Sequence, residues 1–232
     1  MTTLPQLDGQ TIDGLIFCKM VYTLFEDIIQ SNEGVSRIRL RGKRANQTEK
    51  KLIEELLPIC KFIHLKYRPG RYLSIKWING NQQYDAELQQ QGKLITQGYY
   101  PVTSYIESTT VMHKNDFLQR ELLDTQGYTF GLEGISRSRS GQIESKATSY
   151  HNLEFIEIFS KLLIKGISKK LKLNYPQNTT LLVECFLNTI YTQDEWNTLI
   201  LNVEQNIKND KFQEILIFDS SSEKHACIYI HN

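Results

Sequence analysis

Tyr72-Leu73-Ser74-Ile75-Lys76-Trp77-Ile78-Asn79-Gly80-Asn81-Gln82-Gln83-Tyr84-Asp85-Ala86-Glu87-Leu88-Gln89 is the stretch on which the fold turns. Residues 72–78 and 82–89 alternate apolar and polar side chains, the period of an extended strand. Asn79-Gly80 between them is the strongest short-range hairpin signal, because both residues tolerate the positive φ that a tight turn demands. A two-residue turn there sets Ser74 opposite Asp85 and Lys76 opposite Gln83. Leu73, Ile75, Trp77, Tyr84 and Ala86 then form a core face. Lys76, Asp85 and Glu87 share the less apolar face, with Lys76 diagonal to Asp85 and within reach of it.

Downstream, residues 102–112 are rich in β-branched and aromatic side chains and read as a third strand. Glu107 is the charged residue in its apolar run 105–111, where a carboxylate needs a partner or a wet cleft. Residues 90–101 read as a loop with room for a short strand at 93–96. A short helix follows at 114–125. The Gly-, Ser- and Arg-rich segment 127–149 reads as a loop or irregular hairpin. A long helix spans 151–173, with Phe155, Ile158, Phe159, Leu162 and Leu163 as its stripe, and 178–187 is a buried strand. Thr192 and Glu195 form a capping box opening a helix that reaches about residue 208. Strands at 212–219 and 225–231 follow.

Upstream, Leu15, Cys18, Tyr22, Phe25 and Ile29 recur at helical spacing over 14–30. A second helix over 46–67 carries Leu52, Ile53, Leu56, Cys60 and Ile63, with a kink expected at Pro58. Between these helices, 35–44 reads as an extended segment with Arg37, Arg39 and Arg41 on one side, followed by Lys43 and Arg44. Such a cluster is either a solvated edge strand or a contact for phosphate, which arginine grips in bidentate fashion. No repeat or linker interrupts the pattern, so one domain is expected over 1–232: an N-terminal helix and basic segment at 1–45, a core at 46–187, and a C-terminal helix and strands at 188–232.

The formal charge of +1 argues against a wholly electrostatic nucleic-acid binder but leaves room for a basic face. Twelve Tyr and ten Phe argue against disorder. Cys18, Cys60, Cys185 and Cys227 lie in apolar contexts without zinc-ligand spacing, which suits buried thiols in a reducing cytoplasm. The N-terminus lacks the charged and apolar regions of a signal peptide, and the apolar run 15–29 contains Lys19, Glu26 and Asp27, so a soluble cytoplasmic protein without membrane partners is expected. Serine-hydrolase, P-loop and dinucleotide motifs do not occur.

The order helix, strand, strand, strand, helix, strand over 46–187 carries Tyr84-Asp85-Ala86-Glu87-Leu88 on its second strand and Tyr105-Ile106-Glu107-Ser108-Thr109-Thr110 on its third. This resembles the PD-(D/E)XK nuclease superfamily, in branches where a Tyr-Asp-Ala strand precedes Val-Glu-x-Thr and a Glu-containing helix ends in Gly, as in Glu121-Leu122-Leu123-Asp124-Thr125-Gln126-Gly127. The resemblance covers roughly 46–134. It implies an α/β, restriction-endonuclease-like core: a central mixed sheet flanked by helices. By position, Asp85 and Glu107 become ligands of Mg²⁺ (or Mn²⁺), Glu87 shares a face with Asp85, and Glu49 takes the place of a helix glutamate. Glu49 also stands three residues after Asn46, the spacing of a helix cap. Hard cations of this kind take carboxylate oxygens and support phosphodiester hydrolysis.

One departure matters. Thr109 stands where the family places a lysine, and threonine cannot act as that cation. Lys76 is the first substitute, with Lys114 and Arg120 behind it. The expected function is therefore a metal-dependent nuclease on DNA ahead of RNA, with Asp85, Glu107 and Lys76 catalytic and Arg37, Arg39, Arg41, Lys43 and Arg44 on the phosphate backbone. The alternatives are a silent relative that keeps the fold to bind nucleic acid or protein, and an adaptor- or immunity-type protein with an accidental match. A homodimer is consistent with the resemblance, although no coiled coil is evident.

Overall fold

The computed structural model describes residues 3–41, 48–149, 151–187 and 192–229. In chain order these form α1 (Leu4–Leu7), β1 (Thr11–Asp13), α2 (Gly14–Gln30), α3 (Gly34–Arg39) and α4 (Thr48–Lys51). A π-helical turn (Leu52–Leu56) leads into α5 (Leu57–Lys66), followed by β2 (Tyr72–Trp77), β3 (Ala86–Gln91), α6 (Lys93–Thr96) and β4 (Thr103–Val111). Next come α7 (Asp116–Thr125), a 3₁₀ turn (Leu132–Gly134), β5 (Ile135–Arg137), β6 (Ile143–Ser145) and α8 (Asn152–Leu171). The last elements are β7 (Thr179–Cys185), α9 (Gln193–Asn206), β8 (Glu214–Asp219) and β9 (His225–Tyr229).

One mixed sheet runs β1-β2-β3-β4-β7-β8-β9. The pairs β4/β7 and β7/β8 are parallel and the others antiparallel. Both parallel steps need a crossover, which α8 and α9 supply on one face, while α2 and α5 cover the other. Every residue of β7 and β8 is accordingly buried. Leu182, Leu216 and Phe218 face one core with Phe17, Val21, Ile59 and Phe62 from α2 and α5. Leu181, Val183, Ile215 and Ile217 face the other, with Phe159 and Leu163 from α8 and Trp196 and Leu199 from α9. The protein is thus α/β, with a large mixed sheet flanked by helices. No described helix is long and apolar enough to cross a membrane.

Helix ends follow local chemistry. Asp13 caps α2 by accepting from Leu15 N (3.0 Å) and Ile16 N (3.3 Å). Thr192 and Glu195 close the expected capping box on α9 at 2.8 and 3.2 Å.

Four local expectations are corrected. Residues 34–39 are helical, not extended, so Arg37, Arg39 and Arg41 do not line one side of a strand; Lys43 and Arg44 lie outside the described residues. The helix break falls on the π turn, where Leu57 N donates to Leu52 O, ahead of the kink anticipated at Pro58. Residues 93–96 form α6 rather than a strand. The hairpin turn is longer than two residues: Lys76 pairs with Glu87 and Ser74 with Gln89, and Ile78 N donates to Asp85 O. The slip is by an even number of residues, so Leu73, Ile75, Trp77 and Ala86 keep to the core face, while Tyr84 is half-buried outside that core beside Tyr105 and Asp85 moves beyond the end of β2.

Candidate functional site

β3 and β4 pair Ala86 with Ile106 and Glu87 with Tyr105. Continuing that register by one residue sets Asp85 beside Glu107, and period-two alternation puts both on one face. Asp85 stays at the sheet because its backbone N donates to Ile106 O at 2.8 Å and its Oδ2 accepts from Ser108 N at 2.7 Å. Both carboxyl groups open into a cleft of about 630 Å³ that is also lined by Lys50, Glu55, Thr109 and Lys170.

Lys170 was not anticipated. It lies near the end of α8, where Nζ donates to Glu107 Oε1 at 2.5 Å. Phe159, Leu163 and Ile167 recur along the buried stripe of α8, and Lys170 falls one turn further on. That position lines the cleft. A lysine continuing an apolar stripe was the available signal. Tyr175, just beyond the helix, places its hydroxyl 3.4 Å from the same Glu107 oxygen. Thr109 lines the cleft two residues after Glu107, so the ammonium arrives from the helix rather than from the strand.

The helix carboxylate also differs from expectation. Glu49 is buried against Arg37, which donates through Nε at 2.7 Å, and does not line the cleft. Glu55, on the π turn, does line it and accepts from Trp77 Nε1 at 3.1 Å. A π turn redirects side chains within a helix and recurs at functional sites. Lys76 and Glu87 face each other across β2 and β3 outside the cleft lining.

The arginine segment is tied into the fold. Arg37 also reaches Ser31 Oγ at 3.1 Å, and Arg39 donates to Leu123 O at 3.3 Å. Arg41 is 2% exposed, donates to Ile38 O at 3.3 Å and lies 3.5 Å from Glu54. Burial, then the nearby Arg120, lower its pKa. His113 is likewise occupied, with Nε2 2.9 Å from Glu133 Oε1.

Electrostatics in the cleft are those of crowded acids. Burial raises the Asp85 pKa, against the Ser108 N–H and the charges of Lys170 and Lys51. Burial and then the charge of Asp85 raise Glu107, against Lys170 and Tyr175. Burial and then Asp85 push Glu55 up to about 6, with Lys51 and the Trp77 N–H opposing. Burial and Glu107 raise the Tyr175 hydroxyl, which therefore remains a donor.

Among the described residues, no group of three or more His, Cys, Asp or Glu side chains is arranged to hold a metal ion. Mg²⁺ usually takes one or two carboxylates and keeps several waters. Asp85 and Glu107 are a donor set of that kind, and a cation would offset the burial that raises both pKa values and the charge of Asp85 that adds to the rise at Glu107. The residues present therefore fit a hard divalent cation with water completing its shell. Compared with protein-family models, with curated proteins and with solved structures, the chain has no significant match in any of the three.

Proposed function

We propose that this protein is a metal-dependent phosphodiester hydrolase of nuclease type, built on a restriction-endonuclease-like core. The observation that carries the reading is the convergence of Asp85, Glu107 and Lys170 on one open cleft, with Lys170 Nζ 2.5 Å from Glu107. Adjacent strands and a crossover helix deliver two carboxylates and an ammonium to one place. In this reading Asp85 and Glu107 hold Mg²⁺ or Mn²⁺, and Lys170 stands in for the lysine that Thr109 displaces. Such a cation, when bound, supplies Lewis acidity toward a phosphoryl oxygen and lowers the pKa of a bound water. Glu107 holds the Lys170 ammonium at the cleft, where it can hydrogen-bond the attacking water or a phosphate oxygen. Attack forms a P–O bond to the water oxygen and breaks a P–O ester bond. The water proton leaves to solvent and the leaving oxygen gains one, giving a phosphomonoester and an alcohol.

The test is cleavage of plasmid and of single-stranded oligonucleotide in Mg²⁺ or Mn²⁺, beside Asp85→Ala, Glu107→Ala and Lys170→Met. Wild type should cut. Each variant should lose about 100-fold or more, the scale on which positioned acid–base groups contribute. Equal cleavage by all four proteins would mean that the activity belongs to something other than this cleft.

A second reading, a silent relative that binds nucleic acid or protein, is favoured by one observation. Glu107 Oε1 is already engaged by Lys170 and Tyr175, so a cation must compete with an internal ion pair. Wild-type protein that neither cuts nor shifts its melting temperature on addition of Mn²⁺ would select this reading.

A further inference from the structure

Glu107 belongs to two cavities. One is the cleft it shares with Asp85 and Lys170. The other, of about 440 Å³, is lined also by Gln82, Gln83, Lys172, Asn174 and Tyr175. Its size falls in the range of about 300–1,000 Å³ typical of small-ligand sites.

The chemistry of this second cavity differs from that of the first. Three side-chain amides offer donors and acceptors together, the pattern that reads a base edge and that a phosphate alone does not need. Gln82 is oriented by its own Nε2, which donates to Ile78 O at 2.7 Å and leaves Oε1 as an acceptor. Tyr175 is braced by Phe212, with ring centroids 4.9 Å apart, and tethered by its hydroxyl to Glu107. A braced aromatic wall is what a nucleobase stacks on. Lys172 adds a cation to the same lining. Gln83, Lys172 and Asn174 are exposed, so the cavity opens to solvent.

We propose that this cavity is a nucleobase subsite, and that the substrate is single-stranded or locally opened nucleic acid. The proposal rests on the phosphodiesterase reading for the place of the scissile phosphate, at Asp85 and Glu107. The subsite then lies one side chain away, where the base of a flanking nucleotide falls. A base in a duplex has its Watson–Crick edge paired and its faces stacked on its neighbours, so it cannot lie on the Tyr175 ring or offer that edge to Gln83 or Asn174. It must be unpaired to enter, which favours substrates that are already single-stranded.

Fluorescence anisotropy in EDTA tests binding apart from hydrolysis. The probes are labelled dT12, rU12 and a 12-base-pair duplex, with wild type and the Gln83→Ala/Asn174→Ala double variant. A single strand should bind wild type about tenfold more tightly than the duplex, and the double variant should lose about tenfold on the single strand with the duplex unchanged. The dT12 and rU12 arms compare a DNA strand with an RNA strand, and preference for either satisfies the proposal. Duplex binding as tight as single-strand binding, or a double variant indistinguishable from wild type, overturns it. Cleavage separates the two ideas. Single-strand binding lost in the double variant, with no hydrolysis by wild type in Mn²⁺, ends the phosphodiesterase reading and leaves the subsite standing. Metal-dependent duplex cutting, with the double variant binding as wild type does, ends the subsite alone.

Discussion

Glu184 is one of several acids buried in the protein apart from the cleft. It is 5% exposed on β7, and its Oε2 makes no hydrogen bond. Burial pushes its pKa up to about 7, with Ser220, Lys61 and Arg41 pulling the other way. A carboxyl that keeps its proton in the fold but loses it in the unfolded chain makes stability fall as pH rises. Here the stabilisation is complete below the ordinary glutamate value and is lost progressively up to about pH 7. The pKa difference corresponds to a change on the order of 3 kcal/mol. Urea denaturation between pH 5 and pH 8 should show this decline in wild type. Glu184→Gln should flatten it and be the more stable protein at pH 8. An unchanged slope in the variant would assign the dependence elsewhere. Lys170 presents the opposite case. Its ammonium pairs with the buried Glu107 carboxyl at 2.5 Å, so Lys170→Met should lower cleavage and also cost stability by leaving that acid without its cation.

At the scale of elements, α8 decides where Lys170 stands, and Gly166 decides how closely α8 sits on β4. A Cβ on Gly166 would come within 2.8 Å of Val111 Cγ2. Alanine gains about 1 kcal/mol in helix propensity over glycine, whereas forcing extra volume into a packed core costs about 1–3 kcal/mol. Valine is stiff at χ1 and cannot easily turn away. Gly166→Ala should therefore destabilise on balance and reduce cleavage by shifting Lys170, one turn further along. Adding Val111→Ala should recover part of the loss, a coupling that a double-mutant cycle in urea would read. Additive single effects would show that the two residues do not press on each other. On α9 the reciprocal bonds of Thr192 and Glu195 predict a loss of about 1 kcal/mol for Thr192→Ala, read in the same assay.

Across the whole molecule, stability concentrates where strands are covered on both faces. β7 and β8 are buried along their lengths, paired on both edges and sandwiched by the two cores. Their amides should exchange only through global unfolding. The β5–β6 hairpin forms its own two-stranded sheet with mostly exposed or half-buried side chains, and should exchange first. Hydrogen-exchange mass spectrometry would show this order, and equal protection of the hairpin and β7 would contradict it. The candidate site lies at the border of the two regimes. Asp85 precedes β3 at the end of the hairpin loop, while Glu107 is fixed in β4 against β7.

The alternation in 72–78, the buried run of 179–185, the stripe of 14–30 and the Thr192 capping box are local patterns, and each of these elements is present where its residues place it. The meeting of Asp85 and Glu107 was implied by the resemblance alone, because period two sets the face a residue takes on its own strand and not its neighbour on the next, which the β3/β4 register decides. Other features depended on distant contacts. Residues 34–39 carry an alternating sequence yet coil into a helix, whose arginines take Ser31, Glu49 and Leu123 as partners. Glu49 and Glu55 lie on one helical stretch, and the π turn sets which of them meets Asp85. The meeting of Lys170 with Glu107 spans 63 residues and exists because β4 and β7 pair in parallel, which obliges the intervening helix to cross back over the sheet. Periodicity reports which side of an element is apolar. Which charged side chains share a cavity is settled by packing, because burial forces each charge toward the partner that the completed sheet brings within reach.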